Sequence, residues 1–241
     1  MSESLDCLLW CPDVQVEHGR HKQSHHLGIL YVARVAQANG FRVGTVLHGH
    51  HVEPVAEEIA RHKPRIVGVS VCNGHWRSNL QLAIRLCRRA KKLLPGVVTV
   101  LGGIVPTTFA REILASAPEV DIVVCGEGEY TFLEILQGRV LEGILGIAYR
   151  PDGQAIVQTP ARPKLTELDP LPFALSLETD VTATTELGGL LGNLRHEPGH
   201  RSASIITSRG CNGRARSAPT GGSTRRCGRA RWRTWCRRSA S

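Results

Sequence analysis

From Ala215 to Ser241 the sequence holds no aspartate, glutamate or lysine, and its apolar residues follow neither a helical nor a strand period. Eight arginines in that tail account for most of the formal net charge of +9, so the preceding 214 residues are nearly neutral. A basic body able to track a nucleic-acid backbone is therefore excluded. No apolar run approaches the roughly 20 residues of a membrane-spanning helix. The opening residues MSESLDCLLWC carry no basic flank, so no export signal is expected and the chain reads as cytoplasmic, with no membrane partner. Nor is there a glycine cluster after the first apolar run, where CPDVQVEHGRHK stands, so the pyrophosphate cradle of a dinucleotide fold is missing. No Gly-Lys-Ser/Thr follows any strand-like segment, which removes the Walker loop. A phosphorylatable receiver wants acidic residues at its first strand ends, and only Asp13 is near.

What the sequence does contain is enough apolar material for a core, 41% of 241 residues, with only 5% aromatic. Most of the eight cysteines lie in apolar strand-like or helix-like segments and read as small hydrophobes, not as a disulfide framework. Up to about residue 137, strands and helices alternate. LDCLLW, FRVGTVLH, RIVGVSV, VVTVLGG and VDIVVCGEGE read as strands. HHLGILYVARVAQANG, VEPVAEEIARHKP, NLQLAIRLCRRAKKLLPG, FAREILASAP and YTFLEILQG read as the helices between and after them. Five apolar strands separated by helices predict a doubly wound parallel sheet covered on both faces.

Such sheets bind ligands at the carboxyl ends of their strands, so the exit loops are the candidate site. The third strand exits through Ser70-Val71-Cys72-Asn73-Gly74, the fourth through Gly102-Gly103 and the fifth through Gly126-Glu127-Gly128-Glu129. Singly, each is as compatible with a cap or turn as with a ligand contact. Together with HHLGILYVARVAQANGFRV, RIVGVSV, VLGGIVPTTFAREIL and VDIVVCGEGEYTFLEIL, they resemble the N-terminal cobalamin-binding domain of cobalamin-dependent radical SAM enzymes over residues 1–137. The resemblance implies a flavodoxin-like five-stranded domain holding a corrin over the strand ends, with the nucleotide tail in a groove beside the sheet. It implies that Ser70 bonds the tail, that Gly102 and Gly103 let backbone pack against it, and that GEGE, with Gly126, Glu127 and Gly128 and then Glu129, closes the lower part of the site. Two other classes stay open: a flavodoxin-like module for another small ligand, and a nucleic-acid binder using the arginines with Trp232 and Trp235.

The lower ligand of cobalt is a separate question. Mutases and methionine synthases carry Asp-x-His-x-x-Gly before the first helix; here Gln23 to Gly28 reads QSHHLG, which aligns His25 with the ligand and Gln23 with the orienting carboxylate. Glutamine supports an imidazole more weakly than a carboxylate does. His25 is thus either a cobalt ligand or a polar loop histidine. His48, His50 and His51 lack further ligands at zinc-binding spacing and read as a solvated strand end.

Beyond the domain, residues 138–200 read as a linker: a hairpin turning near Pro151-Asp152-Gly153, then the proline-rich crossover RPKLTELDPLPFA. Residues 201–214, including SASIITSRGCNGR, resemble the first strand of a radical SAM barrel and the opening of its cluster loop. The resemblance implies that Cys211 is one of three thiolates of a four-iron cluster that binds S-adenosylmethionine. The other two positions are Ala215 and Ala218. Reading the tail as though one base had been lost permits codons for Cys-x-x-x-Cys-x-x-Cys and for a barrel-like continuation, while Trp235-Cys236 forces a valine. Residues 215–241 are therefore expected to be an out-of-frame, disordered tail. The chain is expected to be a truncated, inactive cobalamin module, with cluster and S-adenosylmethionine confined to its intact relatives.

Overall fold

The computed structural model describes residues 4–12, 27–46, 51–72, 76–151, 155–174, 208–209 and 228–229. Strands β1 (Cys7–Trp10), β2 (Val43–Val46), β3 (Ile66–Ser70), β4 (Val98–Gly102) and β5 (Ile122–Val124) alternate with helices α1 (Leu27–Ala38), α2 (Val52–His62), α3 (Trp76–Leu93), α4 (Ile104–Thr108), α5 (Ala110–Ser116) and α6 (Glu129–Leu136). The five strands are parallel in the order β2-β1-β3-β4-β5, the flavodoxin-like doubly wound order. The interior strand β1 is buried along its whole length, as a strand covered on both faces must be.

Side-chain alternation sorts each strand onto two cores. Leu8, Trp10, Val67, Val69, Leu101 and Val123 pack against Val55 and Ile59 of α2, Leu86 and Cys87 of α3, and Ile113 and Leu114 of α5. On the opposite face Leu9, Ile66, Val100, Ile122 and Val124 meet Ile29 and Ala33 of α1 and Phe132 and Ile135 of α6. The cysteines of these layers behave as small apolar groups. Burial, reinforced by Asp6, pushes the Cys7 thiol up to about 12. Burial, with Asp121 and Glu119 nearby, does the same for Cys87. The five described cysteines are free thiols.

The expected hairpin exists, but it is not separate from the sheet. β6 (Ile147–Tyr149) pairs antiparallel with β5, and β7 (Val157–Gln158) pairs with β6, so the sheet has seven strands. Ile147 and Tyr149 therefore join the α1/α6 core. The crossover that follows is packed as well. Leu168, Leu171 and Ala174 rest on Leu30, Tyr31 and Val35 of α1 and Leu133 of α6. Arg162 ties it down by donating from Nε to Thr131 Oγ1 at 2.7 Å and by pairing with Glu134. Ser208–Arg209 and Gly228–Arg229 form a two-stranded antiparallel pair, β8 and β9, the second drawn from the arginine-rich tail. The rest of that tail, and residues 175–207, lie outside the described residues. No described helix is long and apolar enough to cross a membrane.

Candidate functional site

Where α1 and α6 cover the sheet, their packing leaves a cavity of about 480 Å³ opening at the carboxyl ends of β1, β3, β4 and β5. Strand register explains its floor. Leu9 of β1 is paired with Gly68 of β3, and Gly68 with Val100 of β4. One step nearer the opening, Ser70 is paired with Gly102. Alternation turns these residues to the α1/α6 face, where Leu9 and Phe132 close over Gly68 while Gly102 leaves space that a branched side chain would otherwise fill. Gly28, Ile29 and Val32 of α1 and Gly128 and Phe132 at α6 supply the opposite wall.

Three glycines of the sheet and its exits, Gly102, Gly103 and Gly68, have different physical reasons. A Cβ on Gly102 would meet only Val124 Cβ, at 3.9 Å, so its missing side chain is open cavity. Gly103 has φ of 98° and a Cβ there would sit 2.5 Å from the Val71 carbonyl oxygen, so glycine is demanded by the backbone of the neighbouring strand exit. At Gly68 a Cβ would lie 2.6 Å from Leu9 Cδ2 and 3.4 Å from Phe132 Cε2, so glycine there lets the strand and α6 approach. A short relay then fixes two exit loops to each other. The Gly126 N–H donates to Thr107 Oγ1 at 3.0 Å, and that hydroxyl donates to the Gly103 carbonyl at 2.8 Å.

Polar groups in the wall are few and gather at the opening. The Ser70 hydroxyl lies 3.4 Å from Cys72 Sγ. Glu127 Oε2 accepts from the Leu165 N–H at 2.7 Å, which anchors the crossover to the β5 exit. Arg209 of β8 reaches the same place: Nη2 lies 2.6 Å from Glu129 Oε1 and Nη1 4.0 Å from Glu127 Oε1, while the guanidinium sits 5.2 Å from the centre of the Tyr31 ring. Glu129 is 3% exposed, and its second oxygen, Oε2, has no hydrogen-bond partner among the described residues. An apolar slot with a few convergent polar groups at its mouth is suited to a ligand with a flat apolar part and a polar periphery.

Of the site residues expected from sequence, Ser70, Gly102, Gly103, Gly126, Glu127 and Gly128 line this one cavity. His25 and Cys211 lie outside the described residues, as do Asn73, His48 and His50. His51 is exposed ahead of α2, and no three potential metal ligands gather among the described residues. Sequence reasoning missed Gly68 and Arg209, and it marked Glu129 only as part of the Gly126–Glu129 loop. Gly68 stood inside a quoted strand, but only the pairing with Leu9 and Val100 shows that it faces the slot. It also missed an exposed aromatic pair, Trp76 at the start of α3 stacked on Phe109 with centroids 5.8 Å apart, and the exposed Ile104 that opens α4.

A parallel sheet of this order with an apolar slot at its strand ends defines a flavodoxin-like ligand-holding domain. Residues 20–136 match the family described as B12 binding domain. It is 35% identical to anaerobic magnesium-protoporphyrin IX monomethyl ester cyclase of Rubrivivax gelatinosus over 153 residues, 58% of this chain and 27% of that protein. An uncharacterized methyltransferase of Pyrococcus horikoshii is 34% identical over 124 residues, 49% of this chain and 26% of the relative. The fold matches the cobalamin-dependent S-adenosylmethionine radical enzyme OxsB with aqua-cobalamin bound, at a TM-score of 0.64 and 16% identity, covering 86% of this chain and 27% of that one. The chain thus spans about a quarter of the length of the relatives it matches. The residues present fit cobalamin on two structural grounds: the open space at Gly102, which a Cβ would enter, and the buried unpartnered acceptor at Glu129.

Proposed function

We propose that this domain holds cobalamin with its nucleotide tail in the α1/α6 slot and its corrin across the strand ends, as the cofactor-carrying part of a radical SAM methyl-transfer or related system. The open direction at Gly102 carries the reading. In a sheet whose other facing residues are packed, a strand-end glycine with free space ahead of it leaves room for a ligand, whereas Gly103 is explained by the chain itself. Ser70 lies beside Gly102 in register, where its hydroxyl can bond a tail passing between them. Trp76, Phe109 and Ile104 form the apolar rim on which the corrin edge rests. Bound cobalamin supplies a cobalt centre able to carry a methyl group or an electron. The protein binds the tail, orients the ring and keeps water from its lower face. The radical SAM association rests on the relatives and on the opening of a cluster loop at Cys211. The composition of residues 215–241 favours a tail read out of frame and a chain inactive in that chemistry.

The test is reconstitution: the purified chain, incubated with hydroxocobalamin and desalted, should keep about one equivalent, seen in the visible spectrum. A colourless protein overturns the reading. Sequencing the DNA around codon 214 tests the tail; an intact gene with no barrel-encoding frame downstream overturns the frameshift.

A further inference from the structure

The cobalamin reading leaves one charged group at the cavity mouth without a task. Gly126-Glu127-Gly128-Glu129 places two carboxylates around one guanidinium, so Arg209 neutralises only half of their charge. Glu127 is held on both oxygens, by the Leu165 N–H on Oε2 and, more distantly, by Arg209 on Oε1. Glu129 is held on one. Its Oε1 is engaged by Arg209, whose side chain is only 16% exposed and lies over Tyr31, while Oε2 is buried with no donor among the described residues, on a residue that lines the cavity. Leaving a buried acceptor unsatisfied is costly, and more so when it is charged. The other polar side chains of the wall, the Ser70 hydroxyl and the Cys72 thiol, lie against each other, and the remainder is apolar side chains and glycines. The missing donor is therefore expected on the ligand, and it must be an N–H or O–H group, because a phosphate oxygen would be repelled.

We propose that Glu129 Oε2 is the polar anchor of the slot, accepting a hydrogen bond from a corrin carboxamide or a ribose hydroxyl of cobalamin, and that Arg209 positions it by claiming Oε1. This rests on the cobalamin reading. It also makes Arg209, on the strand that follows the domain, part of the cofactor site, so that docking of β8 and occupancy of the slot favour each other.

Glu129→Gln tests it with little change of shape. Arg209 only donates, so it takes the amide oxygen of Gln and turns the NH2 toward the ligand's own donor. Cobalamin affinity, measured by titration with the melting temperature as a folding control, should fall about 10- to 150-fold. Cobinamide, which has the carboxamides but no nucleotide, separates the two donors. A loss for both ligands places the donor on the corrin, and a loss for cobalamin alone places it on the ribose. Unchanged affinity for both overturns the inference while leaving the cobalamin reading standing. A wild-type chain that binds neither ligand brings down that reading, and this inference with it. Adding Arg209→Met to Glu129→Gln frees the amide to turn its oxygen to the ligand and should recover part of the loss; no recovery overturns the positioning role. Should Glu129→Gln fail to fold, Glu129→Asp, which draws the oxygens back by one methylene, replaces it, and wild-type affinity in that variant overturns the proposal.

Discussion

Gly102→Leu separates a ligand cradle from a backbone requirement. At Gly102 the added Cβ has Val124 Cβ at 3.9 Å as its near neighbour, an ordinary contact, and the residue lies inside β4 with a paired backbone. The fold should therefore accept leucine, and replacing a strand glycine removes an entropic penalty of roughly 0.5–1 kcal/mol. The melting temperature should hold or rise slightly. The isobutyl group, however, enters the slot between Ser70 and Val124, where the proposed function puts the tail. Overpacking a site whose walls can adjust costs about 1–3 kcal/mol, equivalent to about a 5- to 150-fold loss of affinity. The sheet behind Gly102 is held on both sides by parallel register and by the Gly126–Thr107–Gly103 relay, so little adjustment is available and the upper end of that range is expected. The contrasting variant is Gly103→Leu. With φ at 98° and a Cβ 2.5 Å from the Val71 carbonyl oxygen, it should destabilise the domain itself, by about 1–3 kcal/mol from the backbone conformation alone and more from the clash. Loss of binding in that variant says nothing about the ligand. Equilibrium titration with hydroxocobalamin, run beside thermal melting, reads both effects. Gly102→Leu with wild-type affinity and wild-type melting would refute the placement of the tail.

Three further outcomes are expected. His25→Ala should weaken cobalamin binding and shift the visible spectrum of the bound cofactor if His25 ligates cobalt; an unchanged spectrum identifies a base-off state with no protein ligand from that position. The thiols of Cys7 and Cys87, raised to about 12 in the folded protein against about 8.5 in an unfolded chain, favour the native state while they stay protonated. Their contribution is complete below about pH 8.5 and is lost as pH rises toward about 12, at up to about 1.4 kcal/mol per pH unit per thiol. Urea unfolding at pH 8, 9.5 and 10.5 should show this slope, and Cys87→Ala should flatten it by about half; a pH-independent midpoint would contradict the burial argument. Anaerobic iron and sulfide reconstitution should assemble no four-iron cluster, because Ala215 and Ala218 stand where the proposed cluster loop opened by Cys211 would need two further thiolates; a brown protein with cluster absorbance would overturn the truncated reading.

The sequence by itself determined the alternation of strands and helices, because apolar runs of four or five residues and helical stripes such as Leu80, Ala83 and Cys87 are local signals that need no partner to be read. It also marked Ser70, Gly102, Gly103 and the Gly126–Glu129 loop as strand exits, since a parallel sheet presents those ends to its ligands. Tertiary structure decided what distance along the chain conceals. Gly102 and Gly103 are neighbours of one residue type, yet one opens a slot and the other relieves a clash with Val71, a difference set by strand pairing and φ. Gly68 enters the site only because register puts it between Leu9 and Val100. The hairpin after residue 137 looked like linker, and hydrogen bonding to β5 made it sheet, because an edge strand offers unpaired backbone groups to whatever extended segment follows. Arg209 lies 80 residues beyond Glu129 in sequence and 2.6 Å from it in space. No local pattern reports a charge pair of that separation; burial of both groups at one cavity mouth creates it.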